Sequence, residues 1–161
     1  MPLHAPRPSR DIAARLRAAA EICAANGAQL TPLRREVLEL ILRAEAPVTA
    51  YRLLDQLKAL RKSAVPPTIY RALEFLLENG LVHRIERLNA FVPCAEAGPH
   101  HDHGGAQFLI CQVCGAASEV EDAAVSAALA AAAARRGFLP SRAVVEVEGL
   151  CAVCADHTAK P

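Results

Sequence analysis

A chain of 161 residues, 53% hydrophobic and 4% aromatic, can bury one ordinary core or two small ones, and its net charge of +1 decides nothing about partners. No stretch reaches the eighteen or so unbroken apolar residues of a membrane span, and the N-terminus has no signal-like apolar run, so the expected place is the cytoplasm, with no membrane partner. The balanced total covers an asymmetry: residues 1–93 carry fourteen Lys/Arg against nine Asp/Glu, and residues 94–161 four against eight, so a half suited to a polyanion precedes an acidic half.

Residues 1–8 contain three prolines and no periodicity and read as a disordered arm. From Ser9 the pattern is helical, with Ile12, Leu16, Ala19, Ile22 and Cys23 on one face and Gly27 as the stop. Cys23 is then a small apolar core residue. Thr31-Pro32 opens a second helix with Val37, Leu38, Ile41 and Leu42 inward. Thr49 caps a third, whose apolar face is Leu53, Leu54, Leu57 and Leu60, with Val48 as a staple and Tyr51 near its exposed start. A fourth helix follows Val65-Pro66-Pro67-Thr68 and stops at Gly80; Ile69, Ala72, Leu73, Leu76 and Leu77 point inward, which leaves Thr68, Tyr70, Arg71 and Glu74 outward. LVHRIE and AFVPC then read as a hairpin, and helices followed by a hairpin describe a winged helix-turn-helix over residues 9–93.

A winged helix reads DNA with the N-terminal part of its last helix. Thr68, Tyr70 and Arg71 occupy that end here, and Arg is the side chain best shaped for the guanine edge. Arg34 and Arg35 suit phosphate contacts that position the domain without reading sequence. The plainer alternative pairs Arg71 with Glu74 or Glu78 on a solvated face.

Residues 94–104 form a connection, and residues 105–161 a small α+β unit: strands QFLIC and AASEVE, an alanine-rich helix from Asp122 to Arg136 with Val125 and Leu129 on its packable face, and the strand 143–148. The whole is α+β, a winged helix-turn-helix followed by a small α/β domain. Cys94 to Cys114 packs three cysteines, three histidines and an aspartate into one stretch, the donors of a borderline-soft divalent metal. Cys111, Cys114, Cys151 and Cys154 form two Cys-x-x-Cys pairs, a closed tetrahedral shell for structural zinc with no open position for a substrate. A thioredoxin-type redox pair would need a Cys-x-x-Cys at a helix N-terminus, and both pairs here follow strand-like segments. The other donors, His83, Cys94, His100, His101, Asp102, His103, Glu119 and Glu121, are too many for one site.

TPLRREVLELI, PPTIYRALEFLLENGLVHRIE, the histidines before FLICQVCG and the closing GLCAVC resemble the ferric uptake regulator family, most closely its zinc-responsive branch. The resemblance implies a homodimeric metal-dependent repressor of double-stranded operator DNA, with residues 105–161 as dimerisation domain. It implies a structural zinc at the four cysteines and a second, regulatory zinc on His83, Cys94, a histidine of the cluster and Glu119. His103 is taken as that histidine, with His101 as the other register, because Gly104 to Phe108 intervene before Leu-Ile-Cys, which in iron-type members follows the histidines almost directly. For some members it also implies an accessory metal site, here His100, His101, Asp102 and Glu121, and it places Tyr51 at the DNA surface. Cys94 argues for zinc over iron or manganese, which prefer more oxygen and nitrogen donors. An iron or peroxide regulator of the same family is the nearest alternative; a zinc-stabilised protein-interaction module without DNA binding is another. A hydrolase would need an open metal position and a base such as that of His-Glu-x-x-His, a motif the sequence lacks, so neither an enzyme nor a small-molecule substrate is expected.

Overall fold

The computed structural model describes residues 11–95 and 105–158, which fall in two compact units dividing after residue 101. The first unit runs α1 (Ile12–Ala25), α2 (Pro32–Arg43), β1 (Val48–Thr49), α3 (Ala50–Leu60), α4 (Pro66–Glu78), β2 (Val82–Ile85) and β3 (Ala90–Pro93). Asp11 caps α1 by accepting the Ala14 N–H, and Thr49 caps α3 by accepting that of Arg52. Pro66 and Pro67 lie inside the first turn of α4, where a missing N–H costs nothing, so this helix starts two residues before Thr68. Val37, Ile41, Leu53, Leu57, Ile69, Leu73 and Leu76 are fully buried and build the core; each contributes about 1.5–3 kcal/mol of burial. Leu60, expected on the same face, is exposed because α3 ends on it and the chain turns at Arg61. That Arg61 makes a bidentate pair with Glu36 at 2.6 and 2.8 Å, and the pair holds the Glu36 carboxyl below its usual range.

The end of α4 sets the start of the hairpin. Asn79 caps the helix, Gly80 takes a φ of 64°, and the Leu81 N–H reaches back to the Leu76 carbonyl at 2.9 Å while the Gly80 N–H bonds Leu77. This is the 6→1, 5→2 closure that favours glycine, and it buries Leu81 against the helix it ends. β2 follows at once and pairs antiparallel with β3, Val82 opposite Pro93 and His83 opposite Val92. The sequence pattern, with Val48 as staple and Thr49 as cap, predicts no strand at Val48–Thr49. These two residues pair with Phe91 and Ala90, which makes a three-stranded sheet in the order β1-β3-β2.

The second unit runs β4 (Gly105–Cys111), β5 (Ala117–Val120), α5 (Ala123–Ala134), β6 (Ala143–Gly149) and α6 (Ala152–Thr158). β4 is central, antiparallel to β5 and parallel to β6, with α5 as the crossover the parallel pairing requires. Phe108 and Ile110 are buried under the sheet. The alanine helix forms as expected, capped by Asp122, yet none of its residues is buried and Leu129 remains 43% exposed. Phe138, Leu139, Val147 and Leu150 are exposed as well, so the unit shows apolar surface that the described residues leave uncovered. Among the described residues no helix is long and apolar enough to cross a membrane.

Candidate metal centres and nucleic-acid interface

The four-cysteine cluster is built by the parallel β4–β6 pairing. Cys111 closes β4 and lies opposite Gly149, so Cys151, two residues on, arrives beside it and donates its N–H to the Cys111 sulfur at 3.4 Å. After Cys111 the chain turns back: its N–H reaches the Ala116 carbonyl, and Gly115, at a φ of 69°, bonds the Cys111 carbonyl, which places Cys114 at the head of the turn. Cys154 comes from the first turn of α6. All four sulfurs lie within 4.8 Å of one another, with Cys114 and Cys151 at 3.9 Å. A tetrahedral zinc with Zn–S bonds of about 2.3 Å separates its sulfurs by about 3.8 Å, so the donor set fits that ion.

The electrostatics of the cluster point the same way. The amides of Cys114 and Cys151 hold the Cys111 thiol down to about 6, whereas hydrogen bonding to Cys151 and burial push Cys154 up to about 12. One thiolate forms readily, and further negative charge in so small a volume needs a cation to bear it. The sequence pattern shows no helix after Cys151, yet α6 follows it directly, so one Cys-x-x-Cys does stand at a helix N-terminus, the feature that a thioredoxin-type redox pair would need. What separates this site from a redox dithiol is that both pairs converge on one point. Cys23 is fully buried in the first unit's core, as expected of an apolar residue.

On the wing, His83 faces Val92 across the hairpin, and Cys94 is two residues beyond Val92, so strand alternation puts both side chains on one face. Their donor atoms lie within 4.8 Å of each other. Cys94 is buried and His83 half-buried. The Cys94 carbonyl accepts a hydrogen bond from the Arg15 guanidinium of α1 at 2.5 Å. Sequence reasoning missed Arg15, which in the helical pattern of α1 reads as one more solvated charge; only the packing of α1 against the strand end distinguishes it. Burial lowers the pKa of Arg15, and an ionised Cys94 works in the opposite direction. Glu119 sits half-buried on β5 of the second unit opposite Phe108, and Glu121 is exposed just past that strand. His100, His101, Asp102 and His103 lie outside the described residues.

The outward residues of α4 are where the pattern puts them. Tyr70 is 56% exposed, Arg71 exposed and Thr68 half-buried, all in the helix's first two turns. Among the described residues Arg71 makes no ion pair with Glu74 or Glu78, so the solvated-pair alternative lacks its contact. Tyr51 is 73% exposed at the start of α3. Arg35 is exposed in α2, whereas Arg34 stacks on the Phe75 ring at 3.6 Å and donates to the Gln29 carbonyl, a packing role beside any phosphate contact.

Comparison with known proteins bears on this arrangement. The profile of the Ferric uptake regulator family matches residues 25–148. The zinc uptake regulation protein of Escherichia coli (strain K12) is 42% identical over 138 residues, 86% of this chain and 80% of that protein. That of Mycobacterium tuberculosis (strain ATCC 25618 / H37Rv) is 29% identical over 133 residues, 81% of this chain and 97% of that protein. Among solved structures, a zinc uptake regulator complexed with zinc and DNA gives a TM-score of 0.87 at 38% identity, covering 93% of this chain and 99% of that one. The crystal structure of holo XcZur gives 0.79 at 44% identity, covering 92% and 99%. With a family match across most of its length and a relative 42% identical over 86% of it, the chain belongs to the ferric uptake regulator family.

Proposed function

We propose that this chain is a zinc-responsive transcriptional repressor that binds double-stranded operator DNA as a homodimer in the cytoplasm and shuts off zinc-uptake genes. The observation that carries it is a thiol and an imidazole brought within 4.8 Å on the wing of a winged helix whose reading helix is exposed. Relatives named for zinc uptake regulation, and a related structure holding zinc and DNA, support the same reading.

Cys111, Cys114, Cys151 and Cys154 hold a structural zinc that stands in for the large core the second unit lacks. The uncovered apolar surface of α5 and β6 is the dimer face, which a second copy of the chain buries. His83, Cys94, His103 and Glu119 take the regulatory zinc, His83 and Cys94 from the wing and Glu119 from the dimerisation unit. When bound, that ion supplies a cross-link between donors of both units. The protein's part is to keep the donors available and to present Thr68, Tyr70 and Arg71 from both protomers to successive major grooves, with Tyr51 and Arg35 at the DNA surface. Turning a 1:99 population of binding-competent dimers into 99:1 requires the competent form to be favoured by about 10⁴, roughly 5.5 kcal/mol of differential zinc binding.

The test is Cys94→Ser. It should retain the four-cysteine zinc and the dimer while raising the free zinc needed for half-maximal DNA binding by at least about tenfold, the lower end of what losing even a group behind a metal ligand costs. The readout is fluorescence anisotropy on a duplex enriched from a randomised pool at saturating zinc. A titration curve coinciding with that of the unmodified protein would remove Cys94 from the sensing site. His103→Ala should behave like Cys94→Ser; if His101→Ala does so instead, the ligand belongs to the other register.

A further inference from the structure

We propose that Arg15 is a positioning residue for the sensing thiol: its guanidinium, reaching from α1 to the carbonyl of Cys94, fixes the backbone from which the thiolate is presented beside His83. The inference rests on the proposed zinc-sensing role of Cys94.

The β2–β3 ladder ends at Val82 and Pro93, and proline has no N–H with which to extend it. Cys94 is thus the first residue past the regular sheet, where strands ordinarily fray. Here both of its backbone polar groups are engaged. The N–H donates to the Leu81 carbonyl at 3.1 Å, and Leu81 is itself tied to the end of α4 through its N–H on Leu76 at 2.9 Å. The carbonyl accepts from Arg15 at 2.5 Å, across 79 positions of sequence. One bond fastens Cys94 to α4 and the other to α1, so the peptide is clamped between two helices of the same unit.

Arg15 is an unusual choice for so plain an acceptor. It is half-buried, and among the described residues it has no carboxylate partner. Its positive charge is therefore available next to a residue that must be a thiolate to bind metal. Bonds from a charged donor are also about twice as strong as neutral ones, which suits a clamp at a strand end. A solely structural staple would lower thermal stability and leave the zinc response alone; a positioning residue moves the zinc response itself.

The experiment compares Arg15→Met, which keeps the apolar stem and removes the donor, with Arg15→Lys, which restores a charged donor. Both are measured on the whole chain as a dimer with its four-cysteine zinc retained, together with Cys94→Ser. Free zinc is set with chelator buffers, DNA binding is read by anisotropy, and the melting temperature is recorded. Arg15→Met should raise the zinc midpoint on the order of tenfold, with DNA affinity at saturating zinc unchanged, and Arg15→Lys should recover much of the shift. If Cys94→Ser moves the midpoint and Arg15→Met moves only the melting temperature, the positioning role is overturned and the sensing site stands. If Cys94→Ser leaves the midpoint in place, the sensing site falls and the role of Arg15 with it.

Discussion

Cys111→Ser should purify with about one zinc fewer per chain and lose its dimer, because in a metal-built domain the binding free energy of the ion is folding free energy, about 10–16 kcal/mol apparent for four-ligand zinc. Cys111 is the most damaging of the four to lose. It is where β4 ends, where the turn carrying Cys114 closes, and where Cys151 makes its backbone bond. Among the described residues the apolar core of the second unit is thin: Phe108 and Ile110 are buried, but α5 contributes no buried residue and is tied to β4 by Gln107, which donates to the Asp122 carbonyl and the Ser126 hydroxyl. A small sheet with so thin a core depends on metal and on a partner surface. Metal analysis and sedimentation of the purified variant read both effects. A folded dimer of unchanged zinc content would mean that the four sulfurs, though gathered within 4.8 Å, do not hold the ion.

Arg71→Ala should cost about 1–3 kcal/mol on an enriched operator duplex and relax base preference at one position per half-site, as the loss of a bidentate guanine contact does. Tyr70 and Arg71 project from the first two turns of α4, and Arg71 has no carboxylate partner there among the described residues, so its donors are available to a base edge. Arg35→Ala should behave differently, weakening operator and scrambled duplex about equally and flattening the dependence on salt, since a phosphate contact carries no sequence information. Anisotropy titrations on both duplexes, with zinc saturating and at several salt concentrations, separate the two roles. Equal loss on both duplexes for Arg71→Ala would place the reading contacts elsewhere.

Much of this was legible in the sequence because periodicity and spacing encode it. The stripe Ile69, Ala72, Leu73, Leu76 recurs at helical intervals, so the outward position of Tyr70 and Arg71 follows from what must be buried. Two Cys-x-x-Cys pairs are as direct a statement that four thiols converge, as they do within 4.8 Å. Three things were not legible. Val48–Thr49 is too short to show alternation and exists only because β3 offers it a partner. α6 is seven residues long, below the length at which an apolar stripe becomes visible. The clamp on Cys94 joins residues 79 positions apart, and no local pattern signals that an arginine on α1 ends at a strand's last carbonyl. The alanine helix shows the converse case: its propensity is legible in the sequence, yet among the described residues nothing buries its face.

The most direct test of the central claim is the DNA affinity of the purified protein, with its four-cysteine zinc retained, across buffered free zinc, iron and manganese. A zinc-responsive repressor gives binding to the enriched duplex that rises about a hundredfold between chelated and saturating zinc, the scale of a shift from about one per cent competent to nearly all, and no comparable rise with iron or manganese at their buffered cellular levels. Equal affinity with and without free zinc, or a rise driven by iron instead, would contradict it.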